Sequence, residues 1–244
     1  MPHCDFRYFS DALRMHTSAQ ILLPNPRFVP PYPVMFLLHG LSDDDSVWMR
    51  RTSIENYAED VPLIIVMPNG GRGFYLDAQQ GFAFGTAIGV ELPNLLRNYF
   101  PTRPGWAITG LSMGGYGAMK LGLSHPETFR SVVSHSGVLT FGHDPVYLER
   151  PDTAGEWRRI LGEQIVGGPA DLFPLVLASE PRPRLRFDCG VDDHLIEANR
   201  TFHRHLVEHG IEHEYEEFEG GHTWEYWDLH VQEAIAFHRE SLGI

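Results

Sequence analysis

The sequence predicts an α/β fold, one mostly parallel sheet with helices on both faces, and three observations carry that reading. From residue 34 onward, stretches with the pattern of a strand alternate with stretches with the pattern of a helix, the rhythm by which crossover helices build parallel sheets. The runs VMFLLH (34–39) and LIIVM (63–67) are almost continuously apolar and of strand length, as expected of strands covered on both faces. The stretch WAITGLSMGGYGAMKLGLS (106–124) places a G-x-S-x-G turn between a strand and a helix. The chain holds 24 glycines, so the pentapeptide is a weak signal by itself. Its weight comes from that placement.

Composition narrows the field. A chain of 244 residues, 43% hydrophobic and 12% aromatic, can bury a sizeable core and reads as one domain over 1–244. Its formal net charge of −13 repels phosphate backbones and anionic lipid, which argues against nucleic-acid and membrane partners. The N-terminus MPHCDFRYFSDALRMH has no basic segment followed by an apolar one, and the longest strongly apolar run, 34–38, is far short of a span. A soluble cytoplasmic protein is expected. Cys4 and Cys189 make no disulfide framework and no metal-ligand spacing, and Cys189 reads as core.

In chain order, residues 6–9 and 17–23 read as an opening pair of strands, antiparallel if a short turn joins them. The loop LPNPRFVPPYP, with five prolines in ten residues, reads as a rigid connector rather than a domain linker. The strand 34–39 ends in His39-Gly40-Leu41-Ser42 and is followed by Trp48. Residues 54–59 read as a short helix. The strand 63–67 stops at Pro68-Asn69-Gly70-Gly71, and the glycine-rich loop beyond it carries Phe74, Tyr75, Phe82 and Phe84, aromatics suited either to a pocket wall or to covering the core. Residues 91–99 have a helical pattern, with Pro93 tolerable only near the start.

After the helix that follows Ser112, residues 131–134 read as a strand ending in His135-Ser136-Gly137. Residues 138–182 break the alternation, with short helices around Trp157 and over 172–177. This insertion is expected to overlie the site and set selectivity. A strand at 185–189, a helix at 196–209, a strand at 212–218 and a terminal helix at 226–242 complete the pattern.

The chemistry rests on Ser112. A serine hydroxyl is a poor nucleophile at neutral pH and needs a base to take its proton and return it to the leaving group. A neutral imidazole does both, provided a carboxylate holds its tautomer and stabilises the imidazolium. His222 follows a late strand and a Gly-Gly turn and precedes the last helix, which singles it out among 14 histidines. His205 and His209, at i and i+4, lack a third ligand at a recognisable spacing, so no metal site is expected. The acid is Asp193 or Asp192, the other being free to cap the helix that starts near Ile196 or to meet solvent. The oxyanion would rest on the backbone N–H after the nucleophile, that of Met113, and on one from the loop after the 34–39 strand, that of Leu41.

HGLSDDDSVW, MPNGGRGFY, GLSMGGYGAMKLGLSHPETF, CGVDDHLIEANR and GGHTWEYW, in this order over residues 34–240, resemble the esterase D family of α/β hydrolases, especially its bacterial tributyrin-esterase-like carboxylesterases. The resemblance implies an α/β-hydrolase fold and a cofactor-independent serine carboxylesterase acting on small, short-acyl esters. By position it makes Ser112 the nucleophile, His222 the base and Asp193 the acid, with the amides of Leu41 and Met113 as oxyanion donors. Asp193 is chosen because the spacing from Gly190 matches the family's Gly-x-x-Asp. Trp48, Phe74, Tyr75 and Trp224 are candidate substrate contacts. Rival readings are an S-formylglutathione hydrolase, an acetyl or feruloyl carbohydrate esterase, an acyltransferase, and an inactive hydrolase-fold binding protein.

Overall fold

The computed structural model describes residues 1–149 and 153–244. Eight strands form one sheet in the order β1-β2-β4-β3-β5-β6-β7-β8: β1 (His3–Ser10), β2 (Met15–Leu22), β3 (Val34–Leu38), β4 (Ile64–Pro68), β5 (Trp106–Leu111), β6 (Phe129–His135), β7 (Arg184–Gly190) and β8 (Glu214–Phe218). The β1/β2 and β2/β4 pairs are antiparallel and every other pair is parallel. Every residue of β3, β4 and β5 is buried, because these central strands are covered on both sides. At the edges the pattern changes: β1 alternates exposed and half-buried residues, and β8 is a charged edge whose Glu214 and Glu216 pair with Arg186 of β7.

The period-two alternation of β3 sorts the core into two layers. Phe36 and Leu38 pack with the helix Met113–Ser124 through Met113, Met119 and Leu121. Met35 and Leu37 pack on the other side with Trp48, Trp227 and Val231, the last two from the terminal helix Trp224–Leu242. Helices therefore cover both faces, as the fold class requires, and the ends of β3, β5, β6 and β7 open to loops on one edge.

Two local departures have physical reasons. The helical path into Leu92–Tyr99 begins at Phe84 and passes through a π-helical turn, Ala87–Glu91. Pro93 has no N–H to give a regular i to i−4 bond, so a wider turn is accommodated next to it. The terminal helix starts at Trp224, two residues earlier than its apolar pattern suggests, because the Thr223 side chain caps it by accepting from the Tyr226 amide. The insertion holds a 3₁₀ turn, Pro145–Leu148, and helices Ala154–Leu161 and Leu172–Ala178. Its positions 150–152 lie outside the described residues. Among the described residues no helix is long and apolar enough to cross a membrane.

Candidate active site

Ser112 occupies the turn between β5 and its helix with φ +53° and ψ −115°, a conformation L-residues rarely adopt and one that persists only where surroundings enforce it. They do so here by close approach. A Cβ at Gly110 would lie 2.3 Å from the Gly114 carbonyl oxygen, and one at Gly114 would lie 2.4 Å from that of Leu38. The glycines on either side of Ser112 thus let strand and helix meet. The Ser112 amide donates to the His135 carbonyl at 2.9 Å, which ties the turn to the end of β6.

The loop after β8 brings His222 Nε2 to 3.0 Å from Ser112 Oγ, while His222 Nδ1 lies 2.8 Å from Asp193 Oδ2. A carboxylate accepts from Nδ1–H, which leaves Nε2 free to accept the serine proton. Asp193 is buried, and burial on its own would raise its pKa. Hydrogen bonds from His222, from the Leu195 amide and from the Ser136 hydroxyl outweigh that and hold it below the ordinary carboxylate value. The Ser136 hydroxyl in turn accepts from Trp227 Nε1 at 3.3 Å. Asp192 is exposed. Asp193 therefore meets His222 and also accepts from the Leu195 amide at 2.8 Å, just ahead of the helix Ile196–Glu208, while Asp192 is the one left to solvent.

Leu41, Met113 and Ser112 line one cavity of about 130 Å³. Among the described residues neither the Leu41 nor the Met113 amide donates to another protein group, so both remain available to an incoming oxygen. The loop that carries Leu41 is braced from behind. Buried His39 accepts from the Gly70 amide through Nε2 at 2.9 Å and meets the Gly40 carbonyl through Nδ1 at 2.7 Å. Burial pushes its pKa down, in keeping with a neutral ring holding two loops together.

Of the four candidate substrate contacts, the structure puts only Phe74 on the cavity wall. Tyr75 is wholly buried, with its hydroxyl donating to the His39 carbonyl at 3.0 Å. Trp48 is wholly buried, with Nε1 donating to the Leu38 carbonyl at 3.1 Å, and Trp224 packs edge-on against it at 5.3 Å. Both tryptophans belong to the layer on the opposite side of the sheet from the cavity. The wall is instead built by Val138, Phe141, Tyr147 and Trp157 of the insertion and by His194 and Leu195. Phe74 and Phe141 stack at 3.8 Å, and Trp157 meets both rings edge-on. Tyr147 and Trp157 stood in the segment where selectivity was expected, but no periodicity marks which way an irregular segment turns its rings. A second cleft of about 550 Å³ adjoins this cavity and shares Tyr147, His194 and Leu195 with it.

A hydroxyl, an imidazole and a carboxylate in file, beside two unused amides at the ends of parallel strands, define a serine hydrolase of the α/β-hydrolase class. The Esterase family model matches residues 10–238, and the chain belongs to that family. It is a carboxylic ester hydrolase. It is 30% identical to an acetyl esterase of Caldicellulosiruptor saccharolyticus over 93% of this chain and 94% of that one. Among solved structures it resembles a fluorophosphonate-binding serine hydrolase of Staphylococcus aureus, determined with substrate bound, with a TM-score of 0.87 and 28% identity over 97% of this chain and 98% of the other. An S-formylglutathione hydrolase of the same organism superposes with a TM-score of 0.86 and 27% identity, over the same shares of the two chains.

Proposed function

We propose that the chain is a single-domain, cytoplasmic carboxylesterase of the esterase D type that hydrolyses small, short-acyl esters without a cofactor, and that Ser112, His222 and Asp193 are its triad. In this mechanism His222 Nε2 takes the proton as Ser112 Oγ attacks the ester carbonyl. The oxyanion rests on the amides of Leu41 and Met113. His222 then protonates the departing alcohol, and water repeats the sequence on the acyl-enzyme. The observation that carries the reading is the continuous contact from Asp193 through His222 to Ser112, opening on a cavity of about 130 Å³.

That volume supports the acyl class. A cavity of about 150 Å³ just admits a benzene ring, so acetyl to butyryl groups fit while a feruloyl arm does not. The charge of −13 and the absence of a membrane-spanning helix among the described residues support a small soluble substrate rather than nucleic acid or lipid surface. The likeness to an S-formylglutathione hydrolase, together with a 550 Å³ cleft beside the acyl cavity, favours one second reading, a glutathione thioester. Asp144 and Glu197 on that cleft do not complement the carboxylates of glutathione.

The test is kcat/KM over p-nitrophenyl acetate, butyrate and octanoate and over S-formylglutathione, with Ser112→Ala as the blank. A steep fall from butyrate to octanoate, abolished in the blank, is the expected outcome. Dominant turnover of the thioester would replace the substrate and keep the triad. In Trp157→Ala the preference should move toward octanoate by about tenfold or more, since each methylene accommodated is worth about 1–3 kcal/mol.

A further inference from the structure

We propose that Asp193, His194 and His222 form a binding site for a borderline-soft divalent cation such as Zn²⁺, and that its occupation switches the esterase off. The inhibitory half rests on the triad reading above; the binding half does not.

One carboxylate oxygen of Asp193 and one ring nitrogen each of His194 and His222 all lie within 4.8 Å of one another. His222 Nδ1 is 2.8 Å from Asp193 Oδ2, and His194 Nδ1 is 3.4 Å from Asp193 Oδ1. The two imidazoles meet edge to face, with centroids 4.6 Å apart. Donors around a tetrahedral zinc with bonds near 2.0–2.1 Å stand about 3.4 Å apart, so no separation has to close by more than about 1.4 Å, and the His222–Asp193 contact of 2.8 Å opens by about 0.6 Å. The side chain of His194 is 66% exposed and lines the larger cleft. Asp193 is buried and held by the Leu195 amide, which makes it a fixed anchor. Two imidazoles and a single carboxylate suit Zn²⁺ or Co²⁺. Mg²⁺ and Ca²⁺ require more oxygen ligands than this site supplies.

The consequence for catalysis follows from the imidazole's single proton. Nδ1 is the nitrogen of His222 that faces Asp193. A cation shared between them takes the Nδ1 lone pair, and the neutral ring must then carry its proton on Nε2. The atom that should accept from Ser112 becomes a donor toward it. No proton is released and nothing is oxidised, yet general-base catalysis stops. The bound charge also disfavours the imidazolium that must form.

The experiment uses the full chain after EDTA treatment and dialysis, wild type against His194→Phe, which keeps a ring but no ligand atom. Co²⁺ binding is read by the visible absorption of a tetrahedral site, and Zn²⁺ inhibition by p-nitrophenyl acetate turnover, each variant against its own metal-free rate. One tetrahedral Co²⁺ per wild-type chain is expected, with Zn²⁺ inhibition reversed by EDTA and Mg²⁺ without effect. In His194→Phe the inhibition constant should rise about tenfold or more. Any Co²⁺ signal that survives there belongs to other histidines, such as the His203–His213 pair at 2.8 Å. No wild-type Co²⁺ spectrum, or an equal inhibition constant in His194→Phe, overturns the proposal. A fluorophosphonate probe on Ser112 separates the two readings. Labelling without a cobalt spectrum removes the metal site alone, whereas a His194-dependent spectrum in a chain that neither labels nor turns over keeps the site and removes the triad.

Discussion

Two histidine–carboxylate pairs stand at the open edge of the sheet, and they are alike in their hydrogen bond and unlike in everything beyond it. In His222–Asp193 and in His135–Asp188 alike, Nδ1 lies 2.8 Å from a carboxylate oxygen. The His222 side chain is 23% exposed and its Nε2 faces a hydroxyl 3.0 Å away. His135 is wholly buried, its Nε2 meets no hydrogen-bond partner among the described residues, and the second oxygen of Asp188 accepts from Tyr226 Oη at 2.9 Å. The backbone of the second pair does the connecting: the His135 carbonyl takes the Ser112 amide, and that of Asp188 takes the Ser136 amide. A histidine–carboxylate contact is therefore no mark of catalysis. What Nε2 faces, and whether substrate reaches it, decides whether the pair performs chemistry or joins two strands beneath the elbow.

The contrast can be broken most sharply at the serine. Ser112→Ala or His222→Ala should lower kcat by about 10⁴-fold or more, as loss of a member of such a triad does; residual turnover within tenfold of wild type would show that the wrong pair had been chosen. Asp193→Asn, which leaves His222 without its tautomer control, should cost on the order of 10³ to 10⁴ in kcat at nearly unchanged KM. The matched change behind the elbow, Asp188→Asn, should act on stability instead, by about 1–3 kcal/mol in denaturant unfolding, because the amide keeps one acceptor oxygen and turns a donor toward the other of its two buried partners, the His135 imidazole and the Tyr226 hydroxyl. Active-site titration would then show near wild-type turnover per folded molecule.

The buried His238 extends the comparison to pH. His238 lies between Thr109 and Ser131 hydroxyls, and burial, with the nearby His135 second, lowers its pKa to about 3. The unfolded chain, titrating near 6.5, then binds more protons than the folded one between these values. Stability should fall as pH drops from about 6.5 toward about 3, by about 1.4 kcal/mol per pH unit from this group. In His238→Asn the slope of unfolding free energy against pH, read from denaturant unfolding, should be shallower by that amount.

Legibility followed the range of the interactions involved. The elbow could be read because everything it needs is local: a buried strand, two glycines at fixed offsets from Ser112, and a helix. The opening hairpin, both terminal strand–helix units and the covered central strands could be read because side-chain period depends on near neighbours. Trp48, Tyr75 and Trp224 could not be placed in this way. They stand in or just beyond the connections at the correct edge of the sheet, Trp48 in the short helix Val47–Arg51 and Trp224 at the start of the terminal helix, but the side of the sheet on which such a ring settles depends on what the other connections leave vacant. The same limit hid Tyr147 and Trp157 as cavity walls, and His135–Asp188 as a joint between strands 53 residues apart.

By itself the sequence determined the alternation that makes a mostly parallel sheet, the strained turn at Ser112 and the order of serine, acid and histidine along the chain, all of which depend on residue type and spacing. Only the tertiary structure decided which aromatics enclose the 130 Å³ cavity, and which of two equal histidine–carboxylate contacts looks onto a hydroxyl. Those outcomes depend on how segments far apart in the chain share the space at one edge of the sheet, and no local pattern encodes that packing.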